Sequence, residues 1–107
     1  MNLDINKVMA DVLSVLKGTV EKNQDKVESV AKQFVLQNKD TLLMIAQLRL
    51  SGELSDEEAK SRIEDQKFVL EAQFNALQVV SKAIAQQAAN AVLDVLEKAA
   101  VAAVTLI

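Results

Sequence analysis

Between Leu50 and Ser55 the chain carries a helix stop followed at once by a helix start. Roughly fifty residues without a proline lie on either side, so nothing there forces a helix to end. Gly52 is one of two glycines, and it supplies the left-handed backbone on which helices commonly terminate. Ser55 is a good N-cap residue, and Glu58 three positions on completes a capping box. Asp56 and Glu57 fill the first turn, where the helix dipole favours negative charge. These signals predict an all-α chain and one long antiparallel helical hairpin. Helix 1 is expected over about 4–50, the turn over 51–55 and helix 2 over about 56–105, in a single domain spanning 1–107.

The kind of apolar residue present narrows the packing. Half of the chain is hydrophobic, yet it holds three Phe and neither Trp nor Tyr. A core of Ala, Val, Leu and Ile fills the thin layers between close-packed helices, as in a bundle. In Met1–Lys17 the residues Ile5, Val8, Met9, Val12, Leu13 and Leu16 follow the i, i+3, i+4, i+7 rule. The stripe resumes from Val27 through Val30, Ala31, Phe34, Val35, Leu42, Ile45 and Leu48. The second half has the cleanest period: Ile63, Leu70, Leu77, Ile84 and Ala91 recur every seven residues, which predicts coiled-coil-like packing.

Two places in helix 1 are weak. Lys17–Lys26 is polar and contains Gly18, whose presence inside a helix costs about 1 kcal/mol relative to Ala. A break over 18–23 with Asn23 capping a new helix would give a three-helix bundle. However, Val20, Val27 and Phe34 keep the seven-residue spacing, and the continuous helix is the expectation. The second weak point is 38–40, where Asn38 and Asp40 offer the backbone alternatives to the helix.

A straight hairpin of this length forms a rod of roughly 70 Å, and paired residues carry numbers that add to about 105. Phe34 then faces Glu71, and Leu16 faces Ala89. In that geometry the most apolar stretches meet far from the turn and are too wide to be covered by one partner helix. Their exposure would forgo about 1.5–3 kcal/mol per large side chain. The sequence therefore predicts self-association into a four-helix bundle or higher oligomer through Ile5, Val8, Met9, Val12, Leu16, Val92, Val95, Leu96, Val101 and Val104. The partner is a second copy, or failing that another helical protein.

Chemistry is sparsely supported. The chain has no His and no Cys, which removes the common nucleophile–base pairs and thiolate metal sites. Ser81-Lys82 and Ser14-x-x-Lys17 are isolated pairs on regular helix, and no Gly-rich phosphate loop is present. The acids Glu53, Asp56, Glu57, Glu58, Glu64 and Asp65 contain no calcium-loop pattern and read as a dipole-matched helix start. Glu21, Asp25 and Glu28 share a face with Lys22, Lys26 and Lys32, as ordinary i, i+4 pairs would. No catalytic residue, cofactor or metal is expected. A net charge of −3 argues against nucleic acid.

Asp4, Lys7 and Asp11 interrupt the N-terminal apolar pattern, so it is not a signal-peptide core, and no window approaches the ~18 apolar residues of a transmembrane helix. Composition leaves the compartment undetermined, and a cytoplasmic location is the expectation. The run Ala99–Ile107 contains nothing more polar than Thr105. Burial in an oligomer accounts for it best, with a partner groove or a membrane surface as weaker candidates.

A hairpin of this size with Leu50-x-Gly52 at its turn resembles in outline the small Trp-x-Gly hairpins exported by Gram-positive secretion machines. Leucine stands where that family has tryptophan, and a chain without Tyr carries no Tyr-based C-terminal signal. The likeness is one of architecture and a single glycine. It implies, as the alternative to a structural or interaction module, a secretion-linked hairpin acting on membranes through its apolar C-terminal end.

Overall fold

The computed structural model describes the backbone of residues 4–105 and the side chains of residues 4–101. The described chain is all-helical, in the order α1 (Ile5–Thr19), α2 (Gln24–Gln37), α3 (Lys39–Leu50), α4 (Asp56–Glu64), α5 (Lys67–Ala76) and α6 (Lys82–Thr105). Its principal extents are 41 × 22 × 20 Å. The 70 Å rod is thereby corrected, because neither half of the chain is one continuous helix.

The reversal at Gly52 is built from local hydrogen bonds. Gly52 has φ +83°, which lets the Glu53 amide reach the Leu48 carbonyl oxygen at 2.9 Å and the Gly52 amide reach that of Arg49 at 3.2 Å. This is a Schellman ending. Leu54 then turns inward and is buried. Arg49 and Asp56 form an ion pair across the turn. On the far side, Ser55 Oγ accepts from the Glu58 amide and Glu58 Oε1 accepts from the Ser55 amide, each at 3.1 Å.

From that turn α2–α3 and α4–α5 run antiparallel. α3 packs on α4 and α2 on α5, and Leu42, Ile63, Asn38 and Gln66 line one crevice together with Leu93 and Leu96 of α6. The interruptions within these runs are slight. At Asn38 the ladder nearly continues, with the Leu42 amide bonded to the Asn38 carbonyl oxygen at 2.9 Å. The Asn38 side chain bonds the Phe34 carbonyl oxygen at 2.8 Å, the competition with the backbone that Asn offers. Near Asp65 and Gln66 the chain makes a similar brief departure.

The larger departures fall at 20–23 and 77–81. Gly18 lies inside α1; the helix ends only at Val20, whose backbone is extended at φ −116°, ψ 121°. Asn23 takes φ +59° and α2 begins behind it. Across the molecule α5 ends at Leu77, Gln78 takes φ +58°, and Ser81 starts α6 by accepting from the Ile84 amide at 3.1 Å. Continuity through 18–23 and a single helix from 56 are therefore both corrected. The seven-residue spacing held locally, but it did not require the helix to be straight. Ile63 and Leu70 are buried, whereas Leu77, Ile84 and Ala91, at and beyond the bend, are half-buried.

Both breaks fold the outer helices back along the inner pair. α1 and α6 pack on one another, α1 also lies on α2, and α6 touches α3, α4 and α5. The result is four antiparallel runs in one chain. α6 meets several neighbours because its buried positions Ala85, Ala88, Ala89, Val92, Leu93, Leu96 and Ala100 spread over about 140° of the helix at 100° per residue. Four of those are alanines, which allow close approach. Phe34, Phe74, Leu16, Ile45, Leu70 and Leu96 are the largest fully buried side chains, and no polar side chain among the described residues is buried with them.

Candidate functional site

The residues expected at an oligomer interface divide by position. Val8, Val12 and Leu16 form the inner stripe of α1, at a spacing of four, and are buried. Val92 and Leu96 are buried on α6. These five belong to a single core that the chain closes by itself. Met9 and Val95 pack half-buried at its edge, and Ile5 and Val101 are also half-buried. The side chain of Val104, like those of the rest of the C-terminal run from residue 102, lies outside the described residues. Exposure of these stripes therefore gives no reason for a second chain: the bend at 20–23 and 77–81 supplies the cover.

What remains outside was not singled out by the sequence. Phe68 is 75% exposed, Leu36 58%, and Val69 and Met44 48% each. Phe68 stands two residues before the buried Leu70, about 200° round the helix, so the heptad itself contained the signal. Leu36 lies on α2, and Phe68 and Val69 lie on α5. The two helices touch.

Three of the acidic residues around the turn are engaged in local structure. Asp56 pairs with Arg49, Glu58 closes the capping box, and Glu53 accepts from Ser51 Oγ at 3.1 Å. The Ser55 backbone amide and hydroxyl hold the Glu58 carboxyl below its usual range, and Arg62 acts in the same direction. Among the described residues no three carboxylates come together as metal ligands. Lys22, Lys26 and Lys32 make no ion pair there; the pairs within reach are Arg49–Asp56 and Lys98–Asp94. Exposed lysines gain too little from such contacts to be held in place.

One carboxylate stands apart. Burial pushes the Glu97 carboxyl above its usual range, and the negative charge of Glu64 on α4, then Asp94, adds to the effect; Lys60 opposes it. Glu97 Oε1 is buried without a hydrogen-bond partner. Neighbouring like charges disfavour ionisation, as low polarity does. Glu64, Asp94 and Glu97 are not grouped as metal ligands among the described residues.

Among the described residues no helix is long and apolar enough to cross a membrane. No protein-family model matches the chain, and no curated protein or solved structure does either.

Proposed function

We propose that this chain is a non-enzymatic structural or protein–protein interaction module that associates with a second copy, or with another helical protein, through apolar helix faces. The observation that supports this reading is the exposure of Phe68 and its neighbour Val69 on α5, on a chain whose own core is already closed. A phenylalanine three-quarters exposed gains little from the chain's own packing. It becomes useful only when a partner removes it from solvent, and aromatic anchors of this kind carry much of the energy at interfaces. Because Val8, Val12, Leu16, Val92 and Leu96 are buried in the core, the contact proposed here uses the exposed side of α5 instead.

Sedimentation over a range of concentrations tests the reading. The wild-type chain is expected to associate, and Phe68→Ser with Val69→Ser to weaken association without altering helical content. Identical behaviour of wild type and variant, with both monomeric throughout, would overturn it.

A further inference from the structure

We propose that the α1–α6 pair is exchangeable between two copies, so that the chain forms a swapped dimer of straight hairpins by unbending at 20–23 and 77–81. This shares with the proposed function only the partner, a second copy, and does not use the Phe68 surface.

The geometry carries it. The two connections are opposite each other and joined, with Asn23 Nδ2 donating to the Val79 carbonyl oxygen at 3.3 Å. Each contains a non-glycine residue at positive φ, Asn23 at 59° and Gln78 at 58°, and among the described residues these are the only two. Left-handed backbone is unfavourable for a residue with a Cβ, most clearly for Gln. The strain therefore sits at the two points where the chain doubles back, whereas the tip reversal has a glycine.

Neither connection contains a residue that forbids helix. Val20-Glu-Lys-Asn23 and Leu77-Gln-Val-Val-Ser81 hold no Pro and no Gly. Straightening both relieves the positive φ angles and lets the helical ladders run through. Unbending also leaves the pairing inside each half intact. α1 packs along α6, and Thr19 and Val20 share a groove with Ile84, so α1 and α6 stay together. Likewise α2–α3 stay with α4–α5. Only the contacts between the two halves, chiefly those of α6 with α3, α4 and α5 and of α1 with α2, change from one chain to two. The same core is rebuilt with a copy supplying each half, which is the defining economy of an exchanged element.

The test refolds the full chain from denaturant at high and low concentration, separates the species by size, and measures their length by small-angle scattering. The exchanged dimer is a rod of roughly 70 Å, from some 46 residues of continuous helix at 1.5 Å each, against 41 Å for the closed chain. It persists on dilution, because release requires the core to open. Asn23→Gly with Gln78→Gly relieves the bent form and is expected to lower the dimer fraction at least about tenfold. Asn23→Ala with Gln78→Ala is expected to raise it, and Phe68→Ser to leave it unchanged. A wild-type chain that stays monomeric after refolding at high concentration overturns the proposal, whatever the alanine variant does. So does a dimer no longer than the monomer, one that Phe68→Ser abolishes, or one indifferent to the glycine pair.

Discussion

The side chain of Asn23 donates to the backbone carbonyl oxygen of Val79 at 3.3 Å, across 56 residues of chain. This contact ties the bend between α1 and α2 to the bend between α5 and α6. It marks the place where two helical runs of a hairpin fold back together. Around it the core is continuous from Val12 on α1 to Leu96 on α6 and Ile45 on α3.

The two glycines are expected to respond in opposite directions. Gly18 is helical and a Cβ there meets nothing within 4 Å, so Gly18→Ala should stabilise by about 0.5–1 kcal/mol. Gly52 also has open space around it, but its φ is +83°, so Gly52→Ala should destabilise by about 1 kcal/mol. Urea denaturation of both variants checks the pair, and a stabilised Gly52→Ala would contradict the turn.

Ser55→Ala removes the acceptor for the Glu58 amide and should cost about 0.5–2 kcal/mol. Glu58 itself has a lowered folded pKa. Its stabilising contribution is thus present above the ordinary glutamate range and is lost as pH falls through the lowered folded value. Denaturation midpoints of wild type and Glu58→Gln should converge at acidic pH, and curves that stay parallel would argue against the box.

Glu97 has the reverse sign. Its folded pKa is raised, so the ionised form penalises the fold above that value, and the penalty fades as pH falls through it toward the ordinary glutamate range. Glu97→Gln should therefore raise the denaturation midpoint at neutral pH. It should also flatten the gain the wild type shows on mild acidification. An unchanged midpoint at pH 7 would mean that Glu64 and burial do not act on this group.

Burial separates neighbours in α5. Leu70→Ala should cost about 2–5 kcal/mol as a core truncation, since Leu70 is fully buried. Leu77 is half-buried at the bend, and its truncation should cost clearly less. Phe68→Ser should change stability by about 0.5 kcal/mol or less. Thermal or urea denaturation of the three variants gives the ranking, and equal losses at Leu70 and Phe68 would sink the assignment of faces.

The features legible in the sequence are those made by residues close together in it. Ser55 and Glu58 meet because they are three apart at a helix start, and Gly52 ends a helix because it alone tolerates positive φ cheaply. Ser81 is not on regular helix but starts α6, and its place three before Ile84 is the same kind of local signal. The apolar stripes of α1 and α6 were equally readable as surfaces that must be covered.

By itself, then, the sequence determined the all-helical character, the reversal at Gly52 and the need to bury Val8, Val12, Leu16, Val92 and Leu96. Only the tertiary structure decided that the chain bends at Asn23 and Gln78 and provides that cover itself. Locally, Val20–Asn23 and Leu77–Ser81 serve almost as well in a straight helix as in a turn, and the turn is the more strained of the two. The choice is made by the burial of α1 and α6 against residues tens of positions away, and no short stretch of sequence contains both sides of that balance.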